Sequence, residues 1–485
     1  MSEPRTETHI EPRPSERLAD RFVRALVRLI LRVFFRKLEV AGTEKIPGGR
    51  PLLVVANHVN GLLDPALIVG PLPITPRFLG KSTLWKIPAV RPFLELAQVI
   101  PVQRRQDLEK GGAPLDAEAF ARQNAESFAQ CHEVLAQGGS IAIFPEGKSH
   151  NQPALQPMKT GAARIVLEAQ AKYPDLRVWV LPVGLLFDAK EKFRSRAFVQ
   201  VGEPFDPSPD YPLYKEDGPA AVRSLTGRID KALKDVTVNY ASWDEARLIA
   251  RAAELWGRPT LEMPKGRRMA ESTEIQRAIM EGYQDLQTRH PEKVAAVLAA
   301  VREYDDLLEA FHLRDAQVAA AYPPSPVVRF VVDSLAEFLF HLPLAAVGTV
   351  LNALPYGILK LFVPPIAKTP DQMATYKVFG ALIFYPLTWV TTAFLAARYL
   401  APALGWSQWG LALAVLVAGP LTGWAALLFH EHRRLFWREA RAYLVLRTRK
   451  RLAQELRERR EEVVRGVGEL AGLYQTAESA GRPVG

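Results

Sequence analysis

The sequence predicts an α/β unit built on a mixed sheet flanked by helices, then a helical extension and C-terminal transmembrane helices. Three observations lead there. Short apolar runs alternate with turns and helical patterns over residues 37–215. Charge-rich helical periodicity replaces them over 216–325. Charge then becomes sparse from about 336 to 430, and Trp409 to Phe429 carries none at all.

Each element follows in order. Residues 1–16 are polar and proline-containing, and read as a disordered leader without the apolar run of a cleaved secretory signal. Over 17–36, arginines at 17, 21, 24, 28, 32 and 36 recur every three or four residues and share one helical face. Phe22, Leu26, Leu29, Phe34 and Phe35 lie between them. This is a basic amphipathic helix suited to an anionic membrane interface. Strands are expected at Lys37–Val40, Leu52–Ala56, Val99–Val102, Ser140–Phe144, Val178–Val183 and Ala197–Val201, with a helix from Ala117 to Gln137.

In 216–325, Ile275, Ile279, Tyr283 and Leu286, then Val294, Val297, Leu298 and Val301, mark a helical pair without readable chemistry. The membrane region is expected over 326–430. Within it, 338–366 is apolar but carries Pro343, Pro355, Pro364 and Pro365, which predicts a re-entrant or broken pair. Segments 378–400 and 409–429 form a hairpin, each long enough for a bilayer core of about 30 Å. Basic flanks (Lys368 and Lys377, then Arg433, Arg434 and Arg438) place both hairpin ends in the cytoplasm. The Arg-rich tail, 431–485, is expected to lie helically along the cytoplasmic headgroups.

Across 485 residues, 62 Lys+Arg against 52 Asp+Glu leave a net charge of +10. The basic residues cluster beside apolar segments, which favours anionic lipid and phosphorylated substrates over nucleic acid. A single cysteine, Cys131, excludes an intrachain disulfide and a cysteine-based metal cluster, and fits a reducing compartment. Beside His132 in a helical pattern, it reads as packing. His430-Glu431-His432 sits at a membrane edge without a second ligand cluster, so it reads as interfacial rather than metal-binding.

Four segments carry chemistry, all at carboxyl ends of expected strands, where open α/β sheets gather their ligand sites. Asn57-His58-Val59-Asn60-Gly61-Leu62-Leu63-Asp64-Pro65 offers an imidazole base and a carboxylate to fix its tautomer. Taken alone, Asp64-Pro65 also fits an ordinary helix start. Ile100-Pro101-Val102-Gln103-Arg104-Arg105 offers a guanidinium for a phosphate, or a solvated pair. Phe144-Pro145-Glu146-Gly147-Lys148-Ser149 is a glycine-containing acidic turn with an adjacent cation, and Lys159-Thr160-Gly161 opens a helix suited to a phosphate. Pro182-Val183-Gly184 ends a fourth strand and can shape an acyl channel.

These four blocks, in this order, resemble motifs I to IV of the PlsC-type glycerolipid acyltransferase superfamily over about residues 37–215. The resemblance implies the glycerolipid acyltransferase fold and acyl transfer from acyl-CoA or acyl carrier protein onto a phosphorylated glycerol acceptor. It implies no cofactor and no metal. His58 is then the base and Asp64 its orienting partner, while Arg104, Glu146 and Gly147 belong to the acceptor site, with Lys148 and Lys159 near the phosphate. Two departures stand out. Five residues separate His58 from Asp64 where the usual motif has four, which rotates the acid by about 100° if the segment is helical. A subgroup similar to fungal-type glycerol 3-phosphate/dihydroxyacetone phosphate acyltransferases shares that longer form and C-terminal membrane segments. Second, Gln98 stands where the second motif normally has glycine.

The apolar segments and their basic flanks predict a multi-pass membrane protein with its catalytic domain on the cytoplasmic face, and the subgroup resemblance implies glycerol 3-phosphate as the acceptor. Lysophosphatidic acid is the alternative acceptor. A non-catalytic lipid-binding or scaffold protein is the rival of another class, supported by the longer His–Asp spacing. A lipid transporter is disfavoured by having only about three apolar stretches.

Overall fold

The structure is a computed structural model describing residues 14–86, 90–103, 117–256, 268–320, 324–367 and 369–479. Arg104, Lys368 and residues 1–13 of the expected leader lie outside the described residues. The chain divides into two units: residues 1–239 with 369–375, and residues 240–368 with 376–485.

The first unit is an α/β layer structure on a seven-stranded sheet, β1 (Lys37–Ala41), β2 (Leu52–Ala56), β3 (Arg77–Lys81), β4 (Ile100–Val102), β5 (Ser140–Ile143), β6 (Trp179–Phe187) and β7 (Arg196–Val201), in the order β1-β7-β6-β2-β5-β3-β4. Every neighbouring pair is parallel except β6 with β7. The carboxyl ends of β6, β2, β5, β3 and β4 therefore share one edge. Sidedness explains β2: Leu52-Leu53-Val54-Val55-Ala56 is buried throughout, as a central parallel strand covered on both faces requires. Helices α3 (Ala117–Ala136), α4 (Gly161–Lys172) and α5 (Gly218–Val236) contribute Leu135, Ile165, Val166, Leu225, Ile229 and Leu233 to one core with Leu53, Val55, Ile141 and Val180. Each such fully buried aliphatic side chain contributes about 1.5–3 kcal/mol.

Several expectations need correction here. Strand β3 went unforeseen, because Arg77-Phe78-Leu79-Gly80-Lys81 is charged at both ends and carries only two apolar residues. Pro182-Val183-Gly184 does not end its strand: β6 continues to Phe187 because Leu185 to Phe187 pair antiparallel with Val199 to Ala197. Gly184 is required there, since a Cβ would come 2.0 Å from the Val236 carbonyl oxygen at the end of α5. That contact also places α5 in the α/β unit, so the unit boundary falls at residue 239 rather than 215.

Helix α1 (Pro14–Phe34) divides its faces differently from the arginine count. Leu31, Phe34 and the following Phe35 are buried. Arg24 donates to the Leu72 and Ile74 carbonyls, and Arg28 to Gly70 at 2.8 Å, so both close the end of α2 (Leu63–Val69). The outer face exposes Leu18, Phe22, Leu29 and Val33 as an apolar stripe at helical spacing. Arg21, Arg32 and Arg36 are also exposed.

The second unit is helical: α6 (Trp243–Leu255), α7 (Met269–Arg289), α8 (Pro291–Phe311), α9 (Pro324–Ile366), α10 (Pro370–Leu395), α11 (Gln408–Thr448) and α12 (Lys450–Ser479). The residues of α10 up to Thr375 group with the first unit. The tail is not a surface strip. Leu456, Val463 and Val467 of α12 pack with Leu248, Val301, Tyr304 and Leu308. Arg460 donates to the buried Asp315 at 2.8 Å, which also accepts from the Tyr304 hydroxyl at 3.0 Å. The apolar stripe within an Arg-rich sequence is what turned this helix inward.

Over residues 338–366 the chain is continuously helical, within α9 of 43 residues, with Pro343, Pro355, Pro364 and Pro365 inside it. Asn352 of α9 donates to Gly348 at 2.8 Å and to Gly419 of α11 at 3.2 Å, and accepts from the Trp389 indole of α10 at 2.9 Å. Among the described residues, three helices are long and apolar enough to cross a membrane: Ser334–Ile366, Gln372–Leu404 and Gln408–Thr448.

Candidate active site

The site is built on the shared strand edge of the first unit. Strand β2 ends at Ala56, and the next residue extends its pairing with a side chain. Asn57 Nδ2 donates to the Leu185 carbonyl at 3.0 Å and its Oδ1 accepts from the Leu185 N–H at 2.7 Å. This two-way amide clasp stands in for one more ladder rung on β6 and fixes where the chain turns.

The turn then brings His58 and Asp64 together. His58 Nδ1 lies 2.9 Å from Asp64 Oδ2. The same oxygen accepts the N–H groups of Val59 and Asn60, each at 2.7 Å. Asp64 is fully buried, with none of its surface exposed. Asp64 does stand in the first turn of α2, but its carboxylate bonds go back to the preceding loop instead of capping the helix. The five-residue spacing is absorbed before α2 starts at Leu63, with Gly61 at φ 38° supplying the left-handed step. Because an ionised carboxylate only accepts, His58 Nδ1 carries the proton and Nε2 keeps its lone pair. Phe144 backs the imidazole, ring centroids 4.2 Å apart and 15° from parallel.

Glu146, assigned to the acceptor site by resemblance, is held by protein donors on both carboxylate oxygens. It is 2% exposed. Its Oε1 accepts the His58 N–H at 2.7 Å; its Oε2 accepts the Gln156 N–H at 2.7 Å and lies 2.5 Å from His150 Nε2. Both carboxylate oxygens are thus committed to protein donors, one of them the backbone of the imidazole-bearing residue. His150 is held in turn: its Nδ1 accepts from Gln152 N–H at 3.1 Å, which leaves Nε2 as the donor to Glu146, and its own N–H bonds the His58 carbonyl at 3.1 Å.

Gly147 and Lys159 come together. Gly147 has φ 76°, and a Cβ there would meet Lys159 Nζ at 2.8 Å. Lys148 and Lys159 are both exposed, so their ammonium groups are open to a ligand. Arg104 follows β4 by two residues and lies outside the described residues. Among the described residues no three His, Cys, Asp or Glu side chains converge to hold a metal ion. His430 Nε2 is 3.1 Å from the Thr349 hydroxyl within the second unit. Burial pushes the Cys131 thiol up to about 12, which keeps it protonated and inert.

Sequence reasoning missed Asn57, Asn60, His150 and Lys190 as members of this site. All four are buried polar residues. For Asn57, Asn60 and His150 a signal existed, namely their place within or beside the two motifs.

Residues 37–185 match the family profile described as Acyltransferase. Residues 37–185 are an acyltransferase domain. The chain is 29% identical over 288 residues to glycerol-3-phosphate O-acyltransferase 2 of Saccharomyces cerevisiae, covering 56% of this chain and 38% of that protein. It is 27% identical over 287 residues to glycerol-3-phosphate O-acyltransferase 1 of the same yeast, covering 55% and 37%. The match thus spans less than two-fifths of either yeast relative. A PlsC 1-acyl-sn-glycerophosphate acyltransferase structure from Thermotoga maritima aligns at 20% identity and TM-score 0.33, covering 47% of this chain and 83% of that one. In the acyltransferase domain, the matched segment ends at Leu185, the residue that Asn57 clasps.

Proposed function

We propose that this protein is a membrane-bound acyltransferase that esterifies a hydroxyl of glycerol 3-phosphate with a fatty acyl group from acyl-CoA or acyl carrier protein. The single observation carrying this reading is the His58–Asp64 pair at 2.9 Å with Nε2 left to act. His58 Nε2 takes the acceptor hydroxyl proton as that oxygen attacks the thioester carbonyl. The tetrahedral adduct collapses, the C–S bond breaks, and the thiolate leaves with the proton returned by the imidazolium. Such general-base help is worth about 10²–10⁴ in rate. Asp64 orients the ring and stabilises its cationic form. Lys148 and Lys159, with Arg104, bind the acceptor phosphate beside Gly147, whose missing side chain leaves room for that of Lys159. No metal or cofactor is needed for this chemistry.

The yeast relatives named for glycerol 3-phosphate support that acceptor over lysophosphatidic acid. The closed His58–Asp64 contact weighs against a non-catalytic scaffold, whose main support was the longer spacing. Three apolar helices support a multi-pass protein, and the basic residues flanking them support a catalytic domain on the cytoplasmic face. The exposed apolar stripe of α1, with arginines nearby, supports contact of that helix with anionic lipid. The test is full-length protein in liposomes with acyl-CoA or acyl carrier protein thioester and each acceptor. Ester formation on glycerol 3-phosphate is expected; activity on lysophosphatidic acid alone overturns the acceptor, and activity on neither overturns the enzyme.

A further inference from the structure

Lys190 sits on the connector between β6 and β7, is 9% exposed, and has no part in the chemistry above. Its ammonium donates to the Val59 carbonyl at 2.8 Å and to the His150 carbonyl at 2.8 Å. The Asn60 side-chain amide returns a bond to the Lys190 carbonyl at 3.0 Å. The two loops joined in this way leave different strands. One follows β2 and carries His58 and Asp64; the other follows β5 and carries Glu146 and Gly147. We propose that Lys190 is a positioning residue, a brace that sets the imidazole base against the phosphate-binding turn.

The physical case has three parts. First, one ammonium offers three donors from a single centre, so two carbonyls from separate loops can converge on it. Bonds from a charged donor are roughly twice as strong as neutral ones. Second, the brace attaches one residue from each end of the machinery: Val59 follows the base directly, and His150 is the residue that holds Glu146. Third, the connector is anchored behind Lys190. Asp188 accepts the Arg196 N–H at 2.7 Å and its Nε at 2.9 Å, and Arg194 donates to the Arg32 carbonyl at 3.0 Å and the Phe35 carbonyl at 3.1 Å. Motion of the connector is thereby limited, so the ammonium is a fixed point rather than a flexible tether. The base and the acceptor must meet within a fraction of an ångström, and a shift of about 1 Å costs roughly a hundredfold in rate.

The inference rests on the acyl-transfer reading, and the experiment separates the two. Lys190→Met keeps the aliphatic bulk and removes every donor. In full-length protein in liposomes its kcat is expected to fall roughly 30- to 100-fold. KM for the acceptor is expected to change by less than about threefold, since Lys190 touches loops and not the ligand. A folded Lys190→Met variant with kcat within about twofold of wild type overturns the brace. Should that variant not accumulate, Lys190→Gln keeps two donors on a shorter stem and is expected to lose roughly tenfold in kcat; wild-type kcat there overturns the proposal. Amide hydrogen exchange reads the brace without catalysis. Lys190→Met must speed exchange in both 57–64 and 146–152, and unchanged protection in either segment overturns it. A wild-type chain inactive on all acceptors overturns the proposed function, while the exchange result still decides the brace.

Discussion

The strand-edge loops of the first unit and the long helices of the second break the ordinary burial rule in opposite directions. In the loops, Asn57, Asn60, Asp64, Glu146, His150 and Lys190 are polar and buried. In the helices, Phe340, Val350 and Trp409 are apolar and between 76% and 86% exposed. Burying a polar group without partners costs about 1–3 kcal/mol by mutational measure, so the loops persist because most of their groups bond one another, Asn60 Oδ1 and Asp64 Oδ1 being the atoms left without a protein partner among these residues. Exposing so much apolar surface is unfavourable in water and neutral in hydrocarbon. One region therefore stores geometry, and the other declares its solvent.

The comparison breaks most sharply at the base. His58→Ala is expected to lower kcat by about 10²–10⁴, and Asp64→Asn by a similar order, read from initial rates with saturating acyl donor. Full activity in both variants would leave the buried loops without a catalytic meaning. Glu146→Gln removes the anion shared by three donors. Hydrogen bonds to a charged group are worth about 1.5–3 kcal/mol, so thermal stability should fall and kcat should drop roughly tenfold or more. A variant as stable and active as wild type would show that Glu146 holds nothing.

On the other side, Val350→Arg places a charge on an exposed apolar helix face. Insertion should be disfavoured by about 2.5–3.5 kcal/mol, seen as a smaller membrane-integrated fraction after carbonate extraction. If the arginine is tolerated without loss, that face meets water. A smaller effect concerns α1. Cys131 is buried and protonated, so a Phe22→Cys variant offers the one thiol that a maleimide dye can label at neutral pH. Its emission should shift to the blue on moving from detergent to anionic liposomes, and no shift would mean that the stripe faces solvent. The smallest expected change is at Gln98, which holds φ 50° where the resembling motif has glycine. Gln98→Gly relieves a left-handed residue and is expected to stabilise by about 0.5–1 kcal/mol, measured by thermal unfolding.

Most of the sheet was legible because buried parallel strands are continuous apolar runs: β2, β5 and the start of β6 are read directly from Leu52–Ala56, Ser140–Phe144 and Val178–Val183. Strand β3 escaped because its pairing with β4 and β5, rather than its own apolar content, makes it a strand. Proline count alone did not settle α9, which is continuously helical and tied through Asn352 to Gly419 of α11. The Arg-rich tail misled for the converse reason, since charge dominates its composition while Leu456 and Val463 decide its packing.

At the site, residue types and order sufficed to nominate His58, Asp64, Glu146 and Gly147. Their roles did not all follow, because a glutamate in a turn looks the same whether it faces a ligand or a backbone N–H.

Taken by itself, the amino-acid order determined the sheet-forming runs, the apolar helices and the choice of an imidazole with a carboxylate six positions on. Only the folded chain decided that this carboxylate reaches the ring, that Glu146 serves the backbone and that Lys190 ties the two loops. The reason is physical: periodicity and hydropathy are local properties that each segment carries with it, whereas a hydrogen bond between residues 58 and 146 exists only after β2 and β5 have paired.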